Sequence, residues 1–600
     1  MSTGRPARRR AARRRRRGTV LRRALVTAGV ALLAAVAAAA WLAWNGLQAR
    51  DRLVRALPAV ERLQAQVADG DAAAAQLTLT ELQAATADAR DRTDGPLWGL
   101  AGRLPFVGDD VTAATAAVVV VDDVAQRALP PAVAAAAVFD PAALQPKDGR
   151  IALEPIQQAA PLLEQAASEA ERASAAAQGI RTDGVVEQIA AQVERLQTEL
   201  ADVAATARTG ADAAAVLPGM LGADGPRSYL VLFQNNAEVR ATGGLPGSFA
   251  LITADQGQIA LTQQASTADF RKFEQPVLDV PPDVLALHGE NLVTRISDIN
   301  LDPHFPLTAQ LAREMWARRF GQQVDGVIST DPVALSYVLE ATGPVPLATG
   351  DQLTAESAVP LLLAEVYARY EDPRVQNEFF ASAAAASFEA LVTGQGNPRA
   401  MVDQLARAAG EGRVLVWSAH EAEQAVIAGT VLEGALPMGD AARGAVGVYL
   451  NDGTRSKLSY YLQTSATLSP CRGREGEMQL ELVMTSTAPA DGAGLPQYVL
   501  GQSGREGLPS GSIRTQVLIY APSSGVITRV EQGAEPLSAG SQVVSDRQVA
   551  ALFVDLAPGE LKTVRALLEA NQGLAPTELR TTPGITASVT KASSAQCAGT

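Results

Sequence analysis

Cysteine, histidine and aromatic side chains are scarce in this chain. Two cysteines in 600 residues leave no room for a disulfide-dense scaffold or a cysteine-ligated metal cluster. The three histidines, His288, His304 and His420, lie far apart. They lack the spacing of a zinc site and read as surface or capping residues. No Walker loop or redox motif is present, and "GLPSGS" near Ser510 lacks the nucleophile elbow of a hydrolase. Asp298-Ile-Asn300-Leu-Asp302 starts like a calcium loop, but Pro303 stands where a glycine is required and Ala309 where the closing glutamate belongs. No metal ligand set is therefore expected. Aromatics make up 4% of the residues and lysine is rare beside arginine, a bias of composition that carries no mechanism.

What is present begins with length. Six hundred residues exceed one hydrophobic core and imply about three folded units. The net charge of −13 conceals an asymmetry: eleven of the 51 basic residues precede residue 24, leaving 40 against 64 acidic residues, or −24, for the rest. An arginine run alone reads as a nucleic-acid arm. Here it directly precedes an uncharged apolar segment, Ala24 to Trp44, roughly 32 Å long as a helix. Trp41 and Trp44 suit the far interface of a bilayer, and the arginines its near side. The expectation is a basic cytoplasmic tail (1–23) and a single transmembrane helix (24–44), with the bulk of the chain outside the cytoplasm and no nucleic-acid partner. A cleaved signal peptide ending near Ala37–Ala40 is the rival. In an oxidising compartment Cys471 and Cys597 could bridge, a loop closure worth perhaps ~4–5 kcal/mol; the alternative is two unrelated thiols.

Residues 45–215 read as a helical stalk or coiled-coil bundle. Val186, Ile189, Val193, Leu196, Leu200 and Val203 form a heptad seam, and Leu53, Leu57, Val60 and Val67 a weaker one. The two seams could pair antiparallel within the chain, and a homodimer through the stalk is open. Residues 226–430 alternate strand and helix signals, an α/β layered domain with a ligand cleft. "PVALSYVLEATG" is a helix with Pro332 in its first turn and Gly343 at its C-cap. From 440 to 600, seven short strand patterns separated by turn residues suggest a β-sandwich.

Five phrases, "LVLFQNNAEVRATGGLPGSF", "DINLDPHFP", "VDGVISTDPVALSYVLEATGPV", "LTAESA" and "NDGTRSKLSYYL", resemble the family catalogued only as domain of unknown function 4012. The resemblance spans roughly residues 95–500 and brings no activity with it. In its order of elements, the stretch through "YARYEDPRVQNEFFASA" is more distantly similar to the LytR-CpsA-Psr family. Those are membrane-anchored phosphotransferases that move glycopolymers from a polyprenyl pyrophosphate lipid to peptidoglycan. That likeness implies that Arg369 and Arg374 grip pyrophosphate, with Gln376 and Asn377 nearby. The family's Arg-Ser-Asp-Thr-like phrase, whose carboxylate helps hold a metal, is replaced by Leu245-Pro246-Gly247-Ser248-Phe249; only Glu238 and Arg240 could substitute.

The question the sequence poses is why the apolar run "YLVLF" turns into Gln234-Asn235-Asn236-Ala-Glu238-Val-Arg240. At the carboxyl edge of an α/β sheet such groups line a ligand site, and Gly243-Gly244 could nest an anion. The candidate site is accordingly Asn235, Asn236, Glu238, Arg240, Arg369 and Arg374, with no catalytic residue assigned. The structural alternative is that Glu238 pairs with an arginine and the amides satisfy the backbone. The first functional expectation is a non-enzymatic envelope protein that binds an anionic or polyprenyl-linked glycopolymer, peptidoglycan or an envelope partner at the cytoplasmic membrane. The alternative is a phosphotransferase using Mg²⁺, and the third an adhesion protein or scaffold.

Overall fold

The computed structural model describes residues 7–68, 70–138, 145–471, 476–492, 494–504, 507–533, 535–570, 578–586 and 591–592, with side chains from residue 33 onward except those of 68, 491, 591 and 592. The chain divides into two compact units, one of Met1–Asp140 with Glu154–Ala215, the other of Pro141–Leu153 with Val216–Thr600.

The first unit is helical: α1 (Ala7–Ala68), α2 (Ala72–Thr93), α3 (Pro96–Ala101), α4 (Gly108–Asp123), α5 (Leu129–Val138), α6 (Glu154–Gln178) and α7 (Glu187–Met220), which runs on past the boundary. Asp71 caps α2 by accepting from the Ala74 amide, so α1 and α2 form a hairpin. Between α4 and α5 lies one π turn, Val124–Ala128. Its cause is Pro130-Pro131, which removes two successive amide donors. The Ala125 carbonyl there accepts from Gln83 Nε2 at 3.2 Å.

Two sequence expectations are corrected in this unit. No helix among the described residues is long and apolar enough to cross a membrane, so the transmembrane helix at 24–44 and the single-pass localisation built on it do not stand. The segment is one stretch of the 62-residue α1. Its described part, 33–44, is largely alanine, whose single methyl supplies little apolar surface, and Arg50 and Asp51 follow within two turns; residues 24–32 lie outside the described side chains. Second, the two seams do not pair. Val193 and Leu200 of α7 pack with Ala113 and Val120 of α4 and Ala173 and Ala177 of α6. In α1, Ala59 and Leu63 pack against Ala75, Leu79 and Leu82 of α2, while Leu57 is 61% exposed. Alanine rows allow close helix approach and outcompete the sparse large residues of a heptad.

The second unit contains three principal sheets. The first has the order β3 (Gln258–Ser266), β2 (Gly243–Asp255), β1 (Arg227–Arg240), β4 (Gly326–Thr330), β7 (Leu415–Ser418). Only the β1–β4 pair is parallel. Around it lie α8 (Pro282–His288), α9 (Asn291–Thr294), α10 (Phe305–Phe320), α11 (Pro332–Thr342), α12 (Ala358–Pro360), α13 (Val366–Arg369), α14 (Pro373–Val392), α15 (Pro398–Gly410) and α16 (Glu421–Ile427), with a ribbon of β5 (Val345–Pro346) and β6 (Gln352–Leu353). Asp331 caps α11 through the Ala334 amide, and Pro332 opens it.

The later strands are β8 (Ala445–Asp452), β9 (Leu462–Pro470), β10 (Glu477–Ser486), β11 (Ile513–Tyr520), β12 (Val526–Gln532), β13 (Glu535–Pro536), β14 (Gly540–Val544), β15 (Arg547–Leu556), β16 (Leu561–Glu569), β17 (Glu578–Thr581) and β18 (Lys591–Ala592), with α17 (Gln497–Leu500) before β11. They form two sheets, β13-β12-β16-β10-β9-β18 and β14-β15-β11-β8-β17. Between them, alternate residues make one core: Val446, Val448 and Leu450, Leu480 and Leu482, Val517 and Ile519, Leu552 and Val554. The opposite face of the second sheet is buried too. Tyr449, Leu518, Tyr520 and Val549 pack with Leu230, Leu232, Phe249 and Trp316, which is why β8 and the end of β11 read as unbroken apolar runs.

Cys471 follows β9, buried and not free. Cys597 lies outside the described residues, and no disulfide joins two described cysteines, so the expected bridge is not carried further.

Candidate functional site

β1 outruns its parallel neighbour. Phe233 pairs with Thr330, the last residue of β4, and beyond it β1 has only β2, through two register shifts. Backbone groups that lose a strand partner must find another, and the polar residues start at that point. Gln234 Nε2 donates to Ser329 Oγ. Its Oε1 accepts from Thr242 Oγ1 at 3.0 Å, the Gly244 amide at 2.9 Å and Asn300 Nδ2 at 3.1 Å. Asn236 Nδ2 donates to Asp331 Oδ2 at 2.9 Å. The Asn235 Oδ1 accepts from the Ala237 amide at 3.0 Å, and its Nδ2 donates to Tyr367 Oη at 2.7 Å. The β2 backbone comes so close that a Cβ at Gly244 would sit on the Asn235 carbonyl. Gly244→Ala is therefore expected to lower stability by about 3 kcal/mol, read as the shift of the urea midpoint at constant slope.

The charged members of β1 are equally internal. Glu238 is paired with Lys457, whose ammonium lies 4.4 Å from the centre of the Tyr367 ring and 5.0 Å from that of Tyr498. Burial alone would lower the Lys457 pKa; the Glu238 carboxylate together with Tyr367 and Tyr498 outweighs it and the net shift is upward. Burial pushes the Tyr367 phenol up to about 12. Arg240, 6% exposed, donates to the Val239 carbonyl and lies 3.5 Å from Asp298. Of the calcium-like stretch, Asp298 thus faces Arg240, Asn300 joins the amide network, and Asp302 accepts from His288 Nε2 at 3.1 Å and the His304 amide at 2.8 Å.

His304 is half-buried, and that desolvation holds its imidazole below its ordinary value although Asp302 opposes the shift. The unfolded chain therefore binds the proton first, and stability falls as pH drops below about 6.5. The lowered carboxyl of Asp302 adds a loss of the same sign nearer the carboxylate range. Denaturation midpoints between pH 7.5 and 5 should decline, and His304→Gln should flatten the upper part of that decline.

Arg369 and Arg374 are elsewhere. Arg369 is bound to Asp351 at 2.6 Å and Glu365 at 2.7 Å on an exposed face, and Arg374 is 88% exposed and held by Asp372. The structure brings together Asn235, Asn236, Glu238 and Arg240 but not these two arginines. Asn377 Nδ2 approaches Ser266 Oγ at 3.4 Å, and Gln376 binds the Tyr370 carbonyl.

A cavity of about 420 Å³ lies past the carboxyl end of β1. The β1–β2 turn, Ala241-Thr242, forms part of its wall. The rest comes from Ala409–Arg413 at the end of α15, from 429–431 and 434–435, from Glu578–Thr581 with Pro583-Gly584, and from Pro303, Leu415 and Tyr449. Arg413 is 3% exposed. It donates to Asp331 at 2.9 Å, Glu411 at 2.6 Å and the Gly584 carbonyl at 2.8 Å, and so ties the cavity wall to the amide network. Burial would raise the Glu411 carboxyl, but hydrogen bonds from Arg413 and Tyr337 hold it below the ordinary range. Arg580 is bound to Glu578 at 2.5 Å and to the Ala435 carbonyl at 2.9 Å. Sequence reasoning missed these residues. Lys457 sits inside a quoted phrase, "NDGTRSKLSYYL", and Gly410-Glu-Gly412-Arg413 has turn glycines; Glu578 and Arg580 gave no signal. Among the described residues no cluster of three acidic, histidine or cysteine side chains is placed to hold a metal ion.

Residues 224–367 match the family described as protein of unknown function (DUF4012). That segment, from just before β1 into α13, holds the amide network and the Asp331 cap, and over it the resemblance read from the sequence is shown. The match lends nothing to the more distant LytR-CpsA-Psr likeness. Arg413, Lys457 and most of the cavity wall lie beyond it. No curated protein matches the chain.

Proposed function

We propose that the second unit is a binding module that holds an extended, uncharged stretch of polymer in the cavity past β1 and does no chemistry on it. The observation that carries this reading is the pairing of each acidic and basic side chain in the wall. Glu411 is neutralised by Arg413 and Glu578 by Arg580. Neither guanidinium is left over for a phosphate or carboxylate, which argues against an anionic ligand. Glu411 stays ionised and does not donate a proton, and an acid already hydrogen-bonded to two donors is a poor base. Gly410, Gly412, Thr430 and Val431 add uncharged wall beside these cancelled pairs.

The test is calorimetric titration of the full chain with neutral oligosaccharides, short peptides and inorganic pyrophosphate. A neutral polymer fragment should bind and pyrophosphate should not. A Cβ at Gly410 meets no atom within 4 Å, so Gly410→Phe should fill the cavity without unfolding the unit and weaken binding at least about 100-fold; Arg374→Ala should change nothing. Tight pyrophosphate binding, or binding indifferent to Gly410→Phe, removes the reading.

A further inference from the structure

A second cavity, of about 210 Å³, lies against the first sheet of this unit. Its floor is one row across three strands: Phe233 of β1 pairs with Ser248 of β2, and Ser248 with Ser266 of β3. Paired residues share a face of the sheet, and so does Gln264, two residues before Ser266. The roof is α14, whose Asn377, Phe380, Ala381 and Ala384 line the cavity at i, i+3, i+4 and i+7, one stripe of a helix. The serines and alanines are too small to fill the space between sheet and helix. Gln264 Nε2 donates to the Ala381 carbonyl at 2.9 Å, which leaves its Oε1. Ser266 Oγ donates to Asp269 Oδ2 at 3.1 Å. It can therefore only accept from Asn377 Nδ2, which leaves Asn377 Oδ1. Asp269 Oδ2 also takes the Ser266 amide at 2.7 Å. Its other oxygen and the carboxylate of Glu378 have no partner among the described residues, and both residues line the cavity. No basic residue does. Arg319 donates to the Asp269 main-chain carbonyl at 2.6 Å, and Arg374, one turn before Glu378, is held by Asp372 at 2.7 Å.

We infer that this cavity binds an organic cation, an alkyl chain ending in an ammonium or guanidinium group. It is a site apart from the polymer cavity past β1, whose charges are cancelled. Phe233, Phe380 and the alanines supply apolar surface for the chain. The amide oxygens left over on Gln264 and Asn377 are acceptors, and a cationic head carries only donors. Two carboxylates without a counter-ion set the sign: they repel an anion and add nothing for a neutral ligand. Among the described residues no three side chains converge to hold a metal ion, so the charge falls to an organic group. A space of about 210 Å³ equals about seven waters by liquid volume, which a pentylamine fills. The same head group ends a lysine or arginine side chain, so the ligand is a free amine or a basic residue of a partner.

The experiment titrates the full chain in a calorimeter with n-pentylammonium, n-butylguanidinium, n-pentanol and n-pentanoate at low salt. The cations should bind at least about tenfold more tightly than pentanol, and pentanoate should not bind. Ala384→Leu fills the gap under α14 and should weaken the cations at least about tenfold. Glu378→Gln changes an exposed position and should weaken them about three- to fivefold; it keeps the test open should the leucine variant not fold. The tripeptide Gly-Lys-Gly separates the two sources. Binding as tight as that of pentylammonium identifies a partner's side chain, and exclusion of the tripeptide identifies a free amine. Pentanol or pentanoate binding as tightly as the cations, cation binding indifferent to both variants, or no binding of any probe overturns the proposal.

Discussion

Arg413→Ala should destabilise the second unit by about 3–5 kcal/mol, the cost of leaving a buried carboxylate without its partner. Arg413 is 2% exposed at its side chain and Asp331 3%, so water cannot replace the guanidinium. Asp331 also caps α11 and receives Asn236, so the loss spreads into the network at the end of β1. Adding Asp331→Asn should restore part of the loss, because the amide keeps a cap acceptor while removing the stranded charge. Denaturant unfolding followed by tryptophan fluorescence reads both effects, and a change below about 1 kcal/mol for Arg413→Ala would mean that the pairing is not what holds the wall.

The second large effect is at Lys457. Lys457→Met leaves the half-buried Glu238 without its counter-ion and should cost about 2–3 kcal/mol, less than a fully buried carboxylate would. Glu238→Leu alone strands the buried Lys457 ammonium and should cost more, about 3–5 kcal/mol. The double variant should lie close to the parent, since a buried ion pair replaced by apolar groups of similar volume is often neutral. The cycle needs only unfolding midpoints. Losses that simply add would show that the two side chains are not coupled and that Lys457 is held by Tyr367 and Tyr498 instead.

Much of the second unit can be read locally. Asp331-Pro332 and Gly343 punctuate α11 as their chemistry requires, and β10 alternates as a strand with one buried face does. The change from apolar to polar within β1 is visible in the sequence and falls where its neighbour β4 ends and β1 does not. What those polar groups contact is set by distant chain. Lys457 lies 219 residues from Glu238 and Gly584 lies 171 from Arg413, separations that no pattern in a short window reports. Arg369 and Arg374 misled for the opposite reason. Their acidic partners Glu365 and Asp372 are close neighbours in sequence, and local pairing sufficed to keep both on the surface. In the first unit the seams misled because large apolar residues were counted and alanines were not.

The middle sheet, β14-β15-β11-β8-β17, serves two cores at once. Cutting the gene between β7 and β8 would strip Tyr449, Leu518 and Tyr520 from Trp316 and Phe249 and leave both fragments with a wet, greasy scar. Residues 216–600 should accordingly melt as one thermodynamic body, and an insertion meant to separate the early sheet from the late ones should be selected against wherever it falls in that shared layer.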